Sequence, residues 1–461
     1  MATSLTFLGG AGTVTGSKYL LSDDDRRVLV DCGVFQGEKN LRELNWAPFP
    51  VPPASIGTVL VTHAHTDHVG YLPALVRDGF AGEILATEPT CELAAIVLRD
   101  AAFLAERDAE HAAARGYSKH EVPLPLFTSA DVEATLRLFR VVDYDADVDL
   151  DKGWTARWTR AGHILGSASI RVATPSTSVV FSGDLGRVEH PVLRSRELPP
   201  GAEVVLLEST YGDREHFEPA GAQHEPLADL IRRTARRGGS VLIPAFAVDR
   251  TEVVLQTLTT LLREGRIPGL PVFVNSPMAL AALGVYRDPR FAGELRPGLD
   301  AQGFVELPRL HEVRTTQESM KLNDPTVPCI IISSSGMATG GRVLHHLEHL
   351  LPDGRNAVVL AGYQAEGTRG RSLLDGAQHL KMHGRQVPVR AEILADEEFS
   401  VHADRSELLS WLGALSPAPG KVFCVHGTEQ SASALAAAAH ASLGLDARAA
   451  VLSETVELPA G

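Results

Sequence analysis

The segment VTHAHTDHVG, residues 61–70, contains four side chains that bind metal ions readily: His63, His65, Asp67 and His68. It follows the apolar run "TVLV", which predicts that these side chains lie where a strand ends. Alternation along an extended chain points His63 and His65 to one side, and the following loop and helix start can turn Asp67 and His68 toward a second centre. Imidazole and carboxylate ligands suit zinc or, less specifically, another divalent metal. A histidine-rich surface loop is the alternative interpretation.

A pair of metal ions needs more ligands than this segment supplies, and suitable side chains recur where other predicted strands end. They are Asp31 in "VLVDCG", His163 in "RAGHILGS", Asp184 in "VVFSGDLG" and His426 in "VFCVHGTE". Each of them alone would be interpreted as a hydrogen-bonded residue at a strand terminus. Together with the HxHxDH run they predict one bimetallic site that several strand ends assemble.

The elements that must position these residues are short strands. β patterns such as "SLTFLGG", "RRVLVDCG" and "GTVLVTH" come first, a helical pattern follows, and β patterns return from Trp154. We therefore expect a mixed α/β domain over residues 1–210. Strand and helix then alternate in the manner of a parallel sheet, which predicts a second domain over residues 211–370. Strands resume in residues 371–461.

Length and composition limit the class of protein. A chain of 461 residues exceeds what one hydrophobic core usually supports, so two domains are expected. Neither a membrane-length apolar run nor a basic leader with a hydrophobic stretch is present, so we expect a cytoplasmic protein without membrane contact. The four cysteines form no CxxC pair, which argues against a disulfide framework or zinc knot. The net charge of −14 argues against a nucleic-acid partner, although bound metal can reverse the sign locally.

The strand-end residues and the HxHxDH run resemble the metallo-β-lactamase fold, an αββα sandwich with its metal site at one sheet edge. The resemblance implies two Zn²⁺ ions. One ion would be bound by His63, His65 and His163, the other by Asp67, His68 and His426, with Asp184 as the bridge between them. Asp31 would orient the ligands and the bridging hydroxide.

Further motifs resemble the β-CASP nucleases, which include the endonuclease of pre-mRNA 3′-end processing and its prokaryotic relatives. "LLESTYGD" contains Glu208, "EEFSVHADRSEL" contains His402, and "VFCVHGTE" contains His426. "PAFAVDRT", "VNSPMA", "SSSGMATGGR" and "GYQAEGTRGR" resemble stretches of that family's inserted domain, so residues 371–461 are expected to complete the metallo-β-lactamase domain. Asn275 in "VNSPMA" departs from the family, where Asp is expected. A histidine at the position of His426 accompanies RNA substrates, so the resemblance implies single-stranded RNA.

The resemblance also implies a mechanism. A hydroxide bound by two zinc ions would hydrolyse the phosphodiester bond, mainly at internal positions, leaving a 5′ phosphate and a 3′ hydroxyl. His402, held by Glu208, is the expected general acid for the leaving oxygen. Asp67 and Asp31 complete the catalytic residues that the resemblance implies.

Residues in the inserted segment are candidates for binding RNA. Ser334, Ser335 and Gly336 lie in a predicted strand-to-helix loop whose amides and hydroxyls could bind a phosphate, and Arg369 could contact the RNA backbone. A plain loop and a solvated arginine are the alternative interpretations. The neighbours His345 and His346 in "RVLHHLEHL" are expected on a helix surface.

Two other functions stay open. A hydrolase of a small ester, thioester or phosphodiester would be consistent with the acidic charge balance. A catalytically silent RNA-binding scaffold would lack several metal ligands, and none is missing here. No part of the sequence locates an oligomer interface, and a homodimer is expected only because members of the family often dimerise.

Overall fold

The chain divides into two compact units. The computed structural model describes residues 2–24, 26–115, 123–216, 222–300, 307–362, 364–365 and 367–459. The first unit comprises Met1–Glu215 and Val401–Gly461, and the second comprises His216–Ser400. The predicted boundaries lie at 210/211 and 370/371. The first is close to the division after Glu215, whereas the second lies 30 residues before the division after Ser400.

The described strands are, in chain order, β1 Ser4–Phe7, β2 Tyr19–Ser22, β3 Arg27–Val30, β4 Thr58–Leu60, β5 Glu83–Thr87, β6 Phe139–Val142, β7 Asp147–Asp149, β8 Thr155–Arg160, β9 Ala168–Ala173, β10 Ser178–Phe181, β11 Val204–Glu208, β12 Val241–Pro244, β13 Val272–Val274, β14 Leu310–Glu312, β15 Ile330–Ser333, β16 Ala357–Ala361, β17 His379–Met382, β18 Arg385–Pro388, β19 Glu392–Asp396, β20 Lys421–Val425, β21 Ala447–Ala449 and β22 Thr455–Glu457.

The described α-helices are α1 Lys39–Leu44, α2 Thr66–Val69, α3 Leu72–Arg77, α4 Glu88–Arg115, α5 Ser129–Leu136, α6 Glu225–Arg236, α7 Arg250–Arg263, α8 Pro277–Tyr286, α9 Thr316–Lys321, α10 Arg342–Leu350, α11 Arg369–Leu374, α12 Arg405–Ala414 and α13 Glu429–Leu443. None of them is long and apolar enough to cross a lipid bilayer.

The first unit contains two seven-stranded sheets, in the orders β22-β1-β2-β3-β4-β5-β6 and β21-β20-β11-β10-β9-β8-β7. Alternation in β1 turns Leu5 and Phe7 inward, where the ring of Phe7 contacts that of Phe423 from the other sheet at 5.2 Å between centroids. Trp158 and Phe181 of the second sheet are buried in the same core. The two inner faces therefore form one apolar layer between the sheets.

Helices cover the outer faces of both sheets. Helix α4 contacts β5 and β6 of the first sheet. Leu408 and Trp411 of α12 and Leu435 of α13 pack against the second sheet in a separate apolar cluster. Strand β10 is consequently buried at every residue, because its sheet is covered on both sides. These four layers confirm the predicted αββα sandwich.

Parallel pairing explains why distant residues of the first unit meet. Strands β10, β11 and β20 are parallel neighbours, and so are β3 and β4. The carboxyl ends of parallel strands lie at the same edge of a sheet. Asp184, Glu208 and His426 thus come to one edge of the second sheet, and Asp31 and His63 come to one edge of the first.

The second unit is built on a six-stranded parallel sheet in the order β14-β13-β15-β12-β16-β19. Its central strands are buried runs such as "VLIP" and "IIIS", as expected for a sheet that is covered on both faces. Strand β19 pairs in register with β16, and this pairing extends the unit to residue 400. Strands β17 and β18 form a separate hairpin.

Candidate metal centre

The HxHxDH segment is fixed at the end of β4. Trp158 in the core donates its indole N–H to the carbonyl of Val61 at 3.1 Å. His65 has extended backbone and is the N-cap residue of α2. Gly33 lies so close beneath this turn that a Cβ atom on it would stand 1.6 Å from the carbonyl oxygen of Asp67. The position of the segment therefore depends on the hydrogen bond from Trp158 in the core and on the absence of a side chain at Gly33.

A first group of donor atoms brings together His63, His65, His163 and Asp184. His65 Nδ1 lies 3.1 Å from His63 Nε2 and 3.3 Å from His163 Nε2. Asp184 Oδ2 lies 3.5 Å from the first of these two nitrogens and 3.6 Å from the second. His63, His163 and Asp184 are almost completely buried. Four ligand-type atoms thus face one another in a site that little water can reach.

The spacing of these atoms fits zinc. A tetrahedral zinc ion with bonds of about 2.0–2.1 Å separates its ligand atoms by about 3.3–3.4 Å. The separations between donor atoms in the first group fall on both sides of that value, from 3.1 to 3.6 Å. Imidazole nitrogens and a carboxylate oxygen are ligands that zinc prefers. The residues present therefore fit a zinc ion in both distance and chemistry.

A second group comprises Asp67, His68 and His426. His426 Nε2 lies 3.3 Å from Asp67 Oδ2, and His68 Nε2 lies 3.4 Å from Asp184 Oδ1. Asp184 therefore turns Oδ2 toward the first group and Oδ1 toward the second. Oδ1 is buried and makes no hydrogen bond of acceptable geometry, although His68 is close to it. A carboxylate in this position can bridge two ions.

Asp31 orients His68 from behind. Its Oδ2 lies 2.8 Å from His68 Nδ1, and its carboxylate also accepts bonds from the amide and the hydroxyl of Thr62, each at 2.8 Å. A proton on Nδ1 leaves the lone pair of His68 on Nε2, the atom that faces Asp184. Asp31 adopts a left-handed backbone with φ of 58°, and His426 does so with φ of 48°. Both strands therefore end in conformations that non-glycine residues seldom adopt.

Burial and neighbouring charge shift the pKa values of the cluster in different directions. Burial lowers the pKa of His63 and of His163 well below the usual value. Burial also acts to lower the pKa of His68, but the carboxylates of Asp184 and Asp31 outweigh it and hold that pKa well above the usual value. Metal binding at His68 must therefore displace a proton, whereas His63 and His163 present free lone pairs.

Glu208 and His402 form a pair beside the first group. Glu208 is completely buried, and its Oε1 accepts the amide of Leu185 at 2.9 Å and lies 3.2 Å from His402 Nδ1. The imidazole of His402 lies against that of His163, with 4.4 Å between ring centroids. His402 stands in an isolated β-bridge with Gly186, so backbone as well as side-chain contacts position it.

Thr62 and Thr210 are among the hydroxyl residues that touch the cluster and are absent from the predicted site. Thr62 bonds the carboxylate of Asp31 and lies 3.0 Å from His63 Nδ1 through its hydroxyl. The hydroxyl of Thr210 lies 3.1 Å from His426 Nδ1. Both are sequence neighbours of predicted residues, and small hydroxyl residues at strand ends are the signal that could have indicated them.

The candidate RNA-binding residues lie together in the second unit. Ser334 Oγ donates to Ser276 Oγ, and Ser335 Oγ lies near Thr339 Oγ1, both at 2.9 Å. Arg369 donates to the carbonyls of Ala338 and Thr339 in the same loop at 3.3 and 3.4 Å. Arg369 therefore braces this loop, which follows β15 and precedes α10.

Phe246 was missed by the sequence reasoning. It follows β12, the strand beside β15, and 36% of it is exposed although its neighbours Ala245 and Ala247 are buried. Its ring packs on Gly336, where a Cβ atom would lie 2.9 Å from Cδ2 of the ring. The connections from β12 and β15 leave in opposite directions across the sheet, and the carboxyl ends of such strands are a usual place for ligands in α/β folds.

His346 is not a helix-surface residue, and that prediction was wrong. It is completely buried, and its Nε2 lies 2.5 Å from Asn275 Nδ2. Asn275 also donates to Ser319 Oγ at 2.8 Å, and its Oδ1 accepts a bond from Arg342 at 2.8 Å. His345, the preceding residue, is exposed as expected.

Three family models match consecutive parts of the chain. The metallo-beta-lactamase superfamily matches residues 11–245, the Beta-Casp domain matches residues 251–373, and the Zn-dependent metallo-hydrolase RNA specificity domain matches residues 386–450. The chain is a β-CASP member of the metallo-β-lactamase superfamily. The resemblance predicted from the motifs is thereby confirmed, and this β-CASP protein is a metallo-hydrolase of a zinc-dependent family whose grouped His and Asp residues are consistent with two zinc ions.

Curated relatives of the β-CASP protein are similar along almost its whole length. Ribonuclease TTHA0252 of Thermus thermophilus is 38% identical over 432 residues, which are 93% of this chain and 94% of that protein. Transcription termination factor FttA of Methanosarcina mazei is 32% identical over 98% of this chain and 71% of that protein. An RNase J-like protein of Methanocaldococcus jannaschii is 29% identical over 92% of each chain.

A solved structure shares the fold of the β-CASP protein. A protein of unknown function from Enterococcus faecalis V583 aligns with a TM-score of 0.54 over 99% of this chain and 100% of that chain, at 13% identity. At this identity the match shows the fold alone.

Proposed function

We propose that this chain is a zinc-dependent ribonuclease that hydrolyses phosphodiester bonds of single-stranded RNA, mainly at internal positions. The observation that carries the proposal is the pair of donor groups that share Asp184, with the Glu208–His402 pair beside them. A curated ribonuclease that is 38% identical supports RNA as the substrate.

His63, His65 and His163 would hold one zinc ion, Asp67, His68 and His426 would hold the other, and Asp184 would bridge them. When bound, the ions lower the pKa of a water molecule toward neutrality and offset the charge of a phosphate. Asp31 holds the Nδ1 proton of His68 through a 2.8 Å contact, so the proton that an ion would displace is the one on Nε2. That contact is what aligns the second group before any ion arrives.

His402 would protonate the leaving 3′ oxygen of the RNA. Its Nδ1 faces the buried carboxylate of Glu208, so the proton would be delivered from Nε2. A general acid must present its proton to the leaving oxygen, and the contact with Glu208 fixes the ring so that Nε2 is the nitrogen turned away from the carboxylate. Glu208 is a positioning residue in this scheme, because its two oxygens are occupied by backbone amides and by His402.

The loop from Ser334 to Gly341 and the ring of Phe246 would bind RNA in the second unit. Hydroxyls of Ser334 and Ser335 and the amide of Gly336 suit a phosphate, and an exposed aromatic face suits a nucleobase. Arg369 would act through the loop that it braces. Hydrolysis of a small ester, thioester or phosphodiester is the second candidate, and the net charge of −14 is the observation that favours it.

Two further proposals concern the state of the protein in the cell. The cysteines Cys32, Cys91, Cys329 and Cys424 are all free, which suits a reducing compartment, and we place the protein in the cytoplasm. A homodimer stays a prediction.

One incubation separates the two candidate functions. Purified zinc-loaded protein is mixed with labelled single-stranded RNA, with a DNA oligonucleotide of the same sequence, and with a small thioester, each with and without a chelator. We expect internal cleavage of RNA that the chelator abolishes. Efficient thioester hydrolysis without any cleavage of RNA would contradict the ribonuclease proposal and support the second candidate.

A further inference from the structure

Another set of metal-binding side chains meets within the second unit. His345 and Glu348 lie on α10, and His383 lies at the tip of the β17–β18 hairpin, and one donor atom of each lies within 4.8 Å of the others. His383 Nδ1 is 2.9 Å from Glu348 Oε2. The rings of His345 and His383 are stacked with 4.6 Å between centroids. None of these residues belongs to the candidate metal centre.

Local structure delivers the three side chains from two separate elements. Residues three apart on a helix are neighbours on its surface, so His345 and Glu348 share one side of α10. Met382 pairs with Arg385, and His383 and Gly384 therefore form a two-residue turn with φ angles of 46° and 81°. Such turns favour Asn, Asp and Gly at the first position, so the turn itself does not require a histidine.

We propose that His345, Glu348 and His383 bind a divalent transition-metal ion, with zinc as the probe of choice. Imidazole is a borderline ligand that suits zinc and nickel, a carboxylate is a harder oxygen donor that zinc also accepts, and the open side of the site leaves positions for water. The two ring planes differ by 24°, so one imidazole must rotate for both lone pairs to converge. His345 and His383 are both exposed, and their packing does not oppose that rotation.

One cation competes for the carboxylate. Arg385 NH1 lies 3.7 Å from Glu348 Oε1, whereas His383 faces the other oxygen, Oε2. The side chain of Arg385 is 81% exposed and can move into solvent when an ion arrives. A long exposed ion pair of this kind contributes little stability, so its loss opposes metal binding weakly.

An ion at this site would fasten the hairpin to the helix that follows the proposed RNA-binding loop. Arg369 already links the two, because its Nε donates to the carbonyl of Lys381 in the hairpin at 3.1 Å and its NH1 donates to that of Ala338 in the loop. We expect the ion to stiffen the loop and so to strengthen RNA binding. This consequence rests on the proposed function, whereas metal binding itself does not.

The test counts zinc in the full-length chain. Wild type and variants are saturated with zinc, dialysed against micromolar free zinc, and analysed for zinc per chain. We expect His383→Asn and Glu348→Gln each to hold one equivalent less than the wild type. Asn suits the left-handed backbone at position 383, so the first variant keeps the turn. The matched control is His379→Gln, an exposed histidine on the same hairpin, which is expected to keep the full zinc content.

Equal zinc content in wild type and His383→Asn, or an equal loss in His379→Gln, would overturn the site. We also expect His383→Asn to raise KM for RNA about twofold or more with kcat unchanged, and an unchanged KM would overturn the link to the loop. A difference of one equivalent in a protein that cleaves no RNA would leave this site intact and contradict the proposed function. Zinc-dependent cleavage of RNA with equal zinc content in wild type and His383→Asn would support the proposed function and overturn this site.

Discussion

His63 in the first unit and His346 in the second are both fully buried among polar groups, but their surroundings differ in kind. His63 Nε2 faces another imidazole at 3.1 Å and a carboxylate at 3.5 Å. His346 Nε2 faces the amide N–H of Asn275, whose oxygen accepts a bond from Arg342. Around His63 the neighbouring atoms are nitrogens and oxygens of the kind that bind metal ions. Around His346 the lone pair of Nε2 accepts a hydrogen bond from an amide donor.

The difference teaches how a buried metal site can be told from a buried polar network. In the network the lone pair of His346 is already used by Asn275, so no ligand atom remains for an ion. Asn275 at the position where Asp was expected keeps the network free of a carboxylate, and burial lowers the pKa of His346 to about 4. In the metal centre, Asp184 Oδ1 is buried without a hydrogen bond, and imidazole nitrogens lie 3.4–3.6 Å from the oxygens of that carboxylate.

The largest effect is expected when the metal centre loses a ligand. His65→Ala removes the nitrogen that lies 3.1 Å from His63 and 3.3 Å from His163, so the first ion should be lost. We expect RNA cleavage to fall by at least about 10³-fold, which is about 4 kcal/mol of activation free energy. Turnover and zinc content are measured together. His440→Ala, an exposed residue of α13, serves as the control, and wild-type turnover in His65→Ala would refute the assignment.

Loss of the proton donor should slow the reaction and spare the metal. His402→Ala is expected to lower kcat by about 10²–10⁴-fold, the usual contribution of general acid catalysis. Zinc content should stay at the wild-type level, because Glu208 and not a metal group is the contact of His402 Nδ1. Loss of zinc in this variant would instead place His402 among the ligands.

A smaller effect is expected when a residue that orients a ligand, and does not bind the ion itself, is changed. Asp31→Asn weakens the contact that fixes the ring of His68 and its lone pair. We expect zinc affinity to fall about 10–100-fold, as for other residues that orient a ligand. Activity titrated with zinc should then recover at high zinc concentration, whereas His65→Ala should not recover. Identical titration curves for Asp31→Asn and the wild type would show that His68 needs no such support.

The polar network makes a prediction about acid stability. The folded-state pKa of His346 is about 4, below the usual 6.5, so the unfolded chain binds a proton more readily. The stability that this histidine contributes is therefore present above pH 6.5 and is lost as the pH falls toward 4, by on the order of 3 kcal/mol.

Asn275→Asp would place a carboxylate against His346 and raise its pKa, so this loss should shrink. Urea unfolding of zinc-free wild type and variant at pH 7 and pH 4.5 measures the change. The same loss of stability in both proteins would contradict the neutral state proposed for His346.

Sequence reasoning named side chains that the structure brings together, because they follow predicted strands whose ends meet at one edge of a sheet. It missed the burial of His346, although Val343, His346, Leu347 and Leu350 recur at the spacing of a helix face that packs on a core. The extent of the second unit was harder to predict. Strand β19 belongs to it through pairing with β16, and no local pattern specifies a partner so distant in sequence. The approach of His383 to α10 is long-range in the same way.

The distance in sequence between Asp67 and His426, 359 residues, has a consequence for the time at which activity can appear. During synthesis the HxHxDH segment leaves the ribosome long before the strand that supplies His426. If that histidine is a ligand, the growing chain carries an unfinished catalyst for nearly the whole of translation. The messenger RNA that encodes the chain is then protected from cleavage by that chain until His426 has emerged from the ribosome.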